Sequence, residues 1–83
     1  NYALALEYLK MDQSAHAENQ LKMVLTLDPD YVPAYYQLGQ LFQRHNDTQQ
    51  ALHYYHQGRS RALAKKDRKA AGEFEEAIFL LED

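Results

Sequence analysis

Tyr35-Tyr36-Gln37-Leu38-Gly39-Gln40-Leu41-Phe42, followed by Ala51-Leu52-His53-Tyr54-Tyr55, is the stretch that decides the fold. Leu38-Gly39 stands 34 residues after Leu4-Ala5. The same step carries Tyr8 onto Phe42, Ala17 onto Ala51, Leu21 onto Tyr55 and Val24 onto Gly58. Breaks between segments repeat too, with Asp12 falling on Asn46 and Ser14 on Thr48. A step of this length is the period of a helix-turn-helix unit, which cannot bury its own apolar face and stacks on a neighbour.

Outward from that stretch the chain reads as five helices. The first covers about Tyr2–Met11, with Leu4, Tyr8 and Met11 at helical spacing. Asp12-Gln13 turns the chain, and Ser14 is the expected N-cap of a second helix over about Ala15–Leu27, burying Ala17, Leu21, Val24 and Leu25. Asp28-Pro29-Asp30 stops it, since the residue before proline is driven out of the helical region. Pro33 opens the third helix, which runs to His45, and Asn46 takes the left-handed conformation at its end. Thr48 is the expected cap of the fourth helix, which reaches about Ala64. A fifth begins near Asp67 and carries the stripe Ala70/Ala71, Phe74, Ala77/Ile78 and Leu81. Small residues at Gly39 and Ala5, facing Ala51 and Ala17, let paired helices approach closely.

Composition narrows the function. Without cysteine there is no disulfide, thiol chemistry or Cys-based metal site. No apolar run approaches ~20 residues, so no membrane partner is expected. The net charge of −3 argues against nucleic acid. Arg59, Arg61, Lys65, Lys66, Arg68 and Lys69 crowd one stretch, where cations suit the negative end of the fourth helix and keep the linker soluble. That stretch lacks an aromatic for base stacking. His53 and His56 lie one helical turn apart without a third ligand nearby, so no metal is expected. Ser14 and Ser60 have no nucleophile context and there is no phosphate-binding glycine loop. Neither catalysis nor a cofactor is expected.

The residues resemble the tetratricopeptide repeat family. Its signature of W-x2-L-G-x2-Y, A-x3-F and a closing proline is met by Tyr35-x2-Leu38-Gly39-x2-Phe42 and Ala51-x3-Tyr55. It is met again by Leu4-Ala5-x2-Tyr8, Ala17-x3-Leu21 and Pro29. Leu63 replaces the proline of the second unit, and Asn1 the aromatic of the first. The resemblance implies an all-α fold, a short right-handed solenoid of five antiparallel helices. Residues 1–83 form one domain, with repeat 1 at about 1–30, repeat 2 at about 31–64 and a capping helix at about 67–82. The chain opens at Asn1, inside the first helix, so either a longer parent or disordered residues ahead of it are expected.

The resemblance also implies a protein-interaction scaffold whose first helices line a concave face for a peptide or partner protein. Carried onto this chain, that face holds Tyr2, Leu6, Leu9 and Lys10, then Tyr36, Gln40, Gln43 and Arg44. Family members that bind acidic chaperone tails use a clamp of Lys, Asn and Arg. Tyr2, Leu6 and Gln37 stand in those places, so such tails are not expected here. The alternative is self-assembly through repeat or cap surfaces, with Phe79 and Leu80 off the main stripe of the fifth helix. A monomer or weak homodimer is expected, with the cytoplasm as the default compartment.

Overall fold

The computed structural model describes residues 1–82; Asp83, the last residue of the expected domain, lies outside them. The fold is all-α, with α1 (Tyr2–Lys10), α2 (Ser14–Leu27), α3 (Val32–Arg44), α4 (Thr48–Ala64) and α5 (Arg68–Leu81). Each helix packs mainly on its neighbours in the chain, α1 on α2, α2 on α3, α3 on α4 and α4 on α5. That serial stacking is the solenoid the 34-residue step implies.

Three of the four turns share one construction. Asp12, Asn46 and Lys66 take φ of 59°, 61° and 60°. The next residue then donates back into the helix just ended: Gln13 N–H to the Tyr8 carbonyl, Asp47 to Phe42 and Asp67 to Ala62, each at 2.9 Å. These paired bonds satisfy carbonyls that the helix end would otherwise leave free. The turn is so tight that the donating residue is also the cap of the next helix. This corrects two expected caps by one position. Ser14 and Thr48 are the first residues of their helices, and Gln13 and Asp47 precede them as caps. Asp47 Oδ1 accepts the Gln50 N–H at 3.1 Å, while Gln13 makes no side-chain cap bond. Asp67 caps α5 as expected, accepting from Ala70 N–H at 3.1 Å. The third helix starts one residue before Pro33, which sits in its first turn.

The core is built from small residues and the rings they admit. Ala5, Ala17, Leu21, Ala34, Leu38, Ala51 and Ala62 are fully enclosed, and the ring residues Tyr55 and Phe74 are each only 1% exposed. Gly39 serves Tyr55: a Cβ there would come within 2.3 Å of the Tyr55 ring. The space a side chain at Gly39 would fill is taken by Tyr55, one turn beyond Ala51. Gly58 does the same for Phe74, whose ring a Cβ would meet at 2.4 Å, with Tyr35 Cβ at 2.8 Å.

The two units differ in burial. Leu38 is enclosed, but its counterpart Leu4 is 40% exposed and Met11 is 54% exposed. Tyr8, Val24 and Leu25 are half-buried. The reason is stacking, since α1 rests chiefly on α2 whereas α3 is packed by both α2 and α4. Tyr8 instead stacks on His16, ring centres 5.0 Å apart.

The turn from α2 to α3 is fastened from several sides. Tyr35 Oη donates to the Pro29 carbonyl at 2.6 Å. Arg61 Nη1 reaches Asp30 Oδ1 at 2.9 Å, and Lys65 Nζ the Asp30 carbonyl at 3.1 Å. Arg59 Nε meets Glu75 Oε2 at 2.8 Å. Half of the basic stretch therefore ties α4 to its neighbours.

Candidate functional site

Helical spacing on two separate elements builds the site. On α3, Tyr36, Gln40 and Gln43 fall on one face. On α5, Glu73, Glu76, Ala77 and Leu80 do the same. The two faces line a cleft of about 210 Å3 with Tyr55 between them. Toward the starts of both helices the cleft continues into one of about 470 Å3, which shares Tyr36 and Glu73 and adds Tyr2, Gln37, Lys65 and Phe74. At the other end Gln40 and Gln43 border a hollow with Arg44. Each flanking hollow shares lining residues with the central cleft, so the three lie side by side along α3 as a groove, and α5 walls the central and wide parts of it.

Packing holds the centre of the groove in place. Tyr36 is half-buried, edge-on to Phe74 at 5.6 Å and tilted against Tyr55 at 5.7 Å. Gly58 seats Phe74 and Gly39 seats Tyr55, so two glycines fix the rings behind Tyr36. Tyr55 Oη donates to Gln43 Oε1 at 2.9 Å, which orients the Gln43 amide. Burial pushes the Tyr55 hydroxyl up to about 12; the neighbouring Tyr36 adds to this and Arg44 opposes it. Burial also raises the Tyr2 hydroxyl above its ordinary value.

The sequence-predicted residues divide. Tyr36, Gln40, Gln43 and Arg44 lie together along α3, with Tyr2 at the wide end of the groove. Leu6, Leu9 and Lys10 line none of these hollows. Leu9 packs against the core, Leu6 is half-buried and Lys10 Nζ sits 3.4 Å from Glu7. Phe79 is 77% exposed and outside the groove, whereas Leu80 lines it.

Sequence reasoning missed the α5 wall of Glu73, Glu76 and Ala77, because the stripe Ala70/Ala71, Phe74, Ala77/Ile78 and Leu81 accounted for that helix as a cap. The available signal was the second stripe on that helix, Glu73, Glu76/Ala77 and Leu80, beside the buried one. His53 lies edge-on to Tyr54, and His56 Nε2 is 3.5 Å from Glu82. Among the described residues no group of three or more His, Asp or Glu could hold a metal, and no helix is long and apolar enough to cross a membrane.

Comparisons with known proteins agree with the fold. The sequence model of the tetratricopeptide repeat matches residues 21–53. The solution structure of a tetratricopeptide repeat domain protein from Salinibacter ruber is similar at a TM-score of 0.93 and 37% identity, over 98% of this chain and 82% of that one. A crystal structure of such a protein from Salinibacter ruber gives 0.89 and 37%, over 98% and 90%. A protein from Bordetella parapertussis, solved in solution, gives 0.85 at 25% identity, over 96% and 70%. No curated protein matches the chain.

Proposed function

This chain belongs to the tetratricopeptide repeat family, and we propose that it is a protein-interaction module that receives a segment of a partner protein in the groove between α3 and α5. One observation carries the reading: Tyr36, Gln40 and Gln43 of α3 face Glu73, Glu76, Ala77 and Leu80 of α5 across a single cleft. An aromatic ring, amides and apolar carbons in one cleft suit an extended peptide, which offers backbone groups and side chains alternately. In this reading residues 1–30 and 31–64 are the two repeats and the helix at 67–82 covers the second.

The test is capture of proteins on the immobilised domain, comparing the native chain with Gln40→Ala, Arg44→Ala and Tyr36→Ala. Loss of an Arg or Tyr anchor commonly costs ~2 kcal/mol of binding. A partner bound through the groove is depleted in these variants and retained by His53→Ala on another face. Equal capture by the native chain and the three groove variants sinks the groove.

One observation favours a second reading, assembly of copies through the end of α5, since Phe79 stands 77% exposed. Sedimentation at rising concentration decides it. A mass that grows in the native chain and stays constant in Phe79→Glu supports assembly.

A further inference from the structure

The middle of the groove is acidic, and its acids are unmatched. Glu73 and Glu76 stand one helical turn apart on α5 and line the same cleft. Glu75 is held by Arg59 and Glu82 faces His56. Neither Glu73 nor Glu76 has an ion-pair partner among the described residues. Like charges at this spacing repel each other. Arg44 and Lys65 border the two adjoining hollows, Lys65 being engaged by the Asp30 carbonyl, and Lys69, one turn before Glu73 on α5, makes no ion pair with it.

We propose that this central cleft takes the side chain of an arginine or lysine from the partner segment; the inference rests on the groove reading above. Such a side chain has an apolar stem and a charged head. The cleft offers both surfaces: Ala77 and Leu80 for the stem, Glu73 and Glu76 for the head. The ring of Tyr36 adds a π face for the cation. The Gln40 amide oxygen and the Tyr36 hydroxyl add acceptors, which a five-donor guanidinium fills better than an ammonium does. The occupant is therefore a basic peptide segment, opposite in charge to an acidic tail.

Three octapeptide pools test it, degenerate at the flanks and carrying arginine, citrulline or glutamate at the centre. Each is titrated into the nitrogen-15-labelled chain while the amide signals of Tyr36, Gln40, Glu73 and Glu76 are followed. The arginine pool shifts these signals at concentrations about three- to five-fold lower than citrulline, the scale of one solvent-exposed charge pair. Added salt narrows that gap. Glu73→Gln with Glu76→Gln removes it, while helicity and melting temperature hold or rise. Equal binding of arginine and citrulline at the groove overturns the cation site and leaves the groove standing. Preference for the glutamate pool, centred on Arg44, overturns it in favour of an acidic partner. Absence of shifts at the groove with every pool overturns both the cation site and the groove.

Discussion

Gly39, Gly58 and Gly72 are all helical, yet adding one methyl to each should move stability in different directions. At Gly39 the new Cβ lies 2.3 Å from the Tyr55 ring, and at Gly58 2.4 Å from Phe74. Overpacking of this kind costs about 1–3 kcal/mol, against about 1 kcal/mol gained in helix propensity. The tight contacts decide the sign, so Gly39→Ala and Gly58→Ala should melt lower. Gly72 has nothing within 4 Å, so Gly72→Ala should gain about 0.5–1 kcal/mol. Thermal melts of the three variants check this; a neutral Gly39→Ala would mean that Tyr55 can sit elsewhere. Tyr55 also makes stability depend on alkali. Its hydroxyl is held at about 12 when folded and titrates near 10 when unfolded. The unfolded chain therefore loses its proton first, so stability is whole below about pH 10 and falls as pH rises toward about 12. Tyr55→Phe should cost about 1 kcal/mol at neutral pH through its lost hydrogen bond, and its urea midpoint should fall less steeply across that range. Tyr2 and Tyr35 are raised in the same direction, so some slope should remain.

Helix ends carry the next set of effects. Asp47→Ala and Asp67→Ala each remove a side-chain cap and should cost about 1 kcal/mol. Gln13 occupies the equivalent place without such a bond, so Gln13→Asp should gain a comparable amount in urea denaturation. Lys66 holds φ of 60°, a conformation costing a residue with a Cβ roughly 1–2 kcal/mol; Lys66→Gly should relieve it. The element pattern itself was legible, because the offset aligned Ala17 with Ala51 and Leu21 with Tyr55, and all four are buried. The caps slipped by one residue because Asp47 and Thr48 are both good capping types, and only the backbone path after Asn46 chooses between them. Lys66 gave no sign of a left-handed turn, since lysine has no preference for one. Leu4 and Met11 read as core because spacing reports a face of the helix and does not report whether another helix covers it.

At the scale of the whole molecule, α5 serves both the core and the groove. Phe74 is 1% exposed against Gly58, Tyr36 and Tyr55, so Phe74→Ala should cost about 3–5 kcal/mol, a large share of the stability of a small domain. Removing residues 67–83 should abolish cooperative melting, read by circular dichroism; a truncated chain that still melts cooperatively would mean that α1–α4 hold a core of their own without α5. The α3 half of the groove was legible from its register within the repeat. The α5 half was not, because α5 departs from the 34-residue step and is brought beside α3 by the packing of both on α4. The ring cluster behind Tyr36 has one more consequence. The chain contains seven tyrosines and no tryptophan, so its ultraviolet emission is tyrosine emission alone. Tyr36 lies at the lip of the cleft, with Tyr55 behind it. A guest in the cleft changes the polarity and asymmetry around that ring pair, so the protein carries its own unlabelled optical gauge of occupancy, readable as a change in tyrosine fluorescence or near-ultraviolet dichroism.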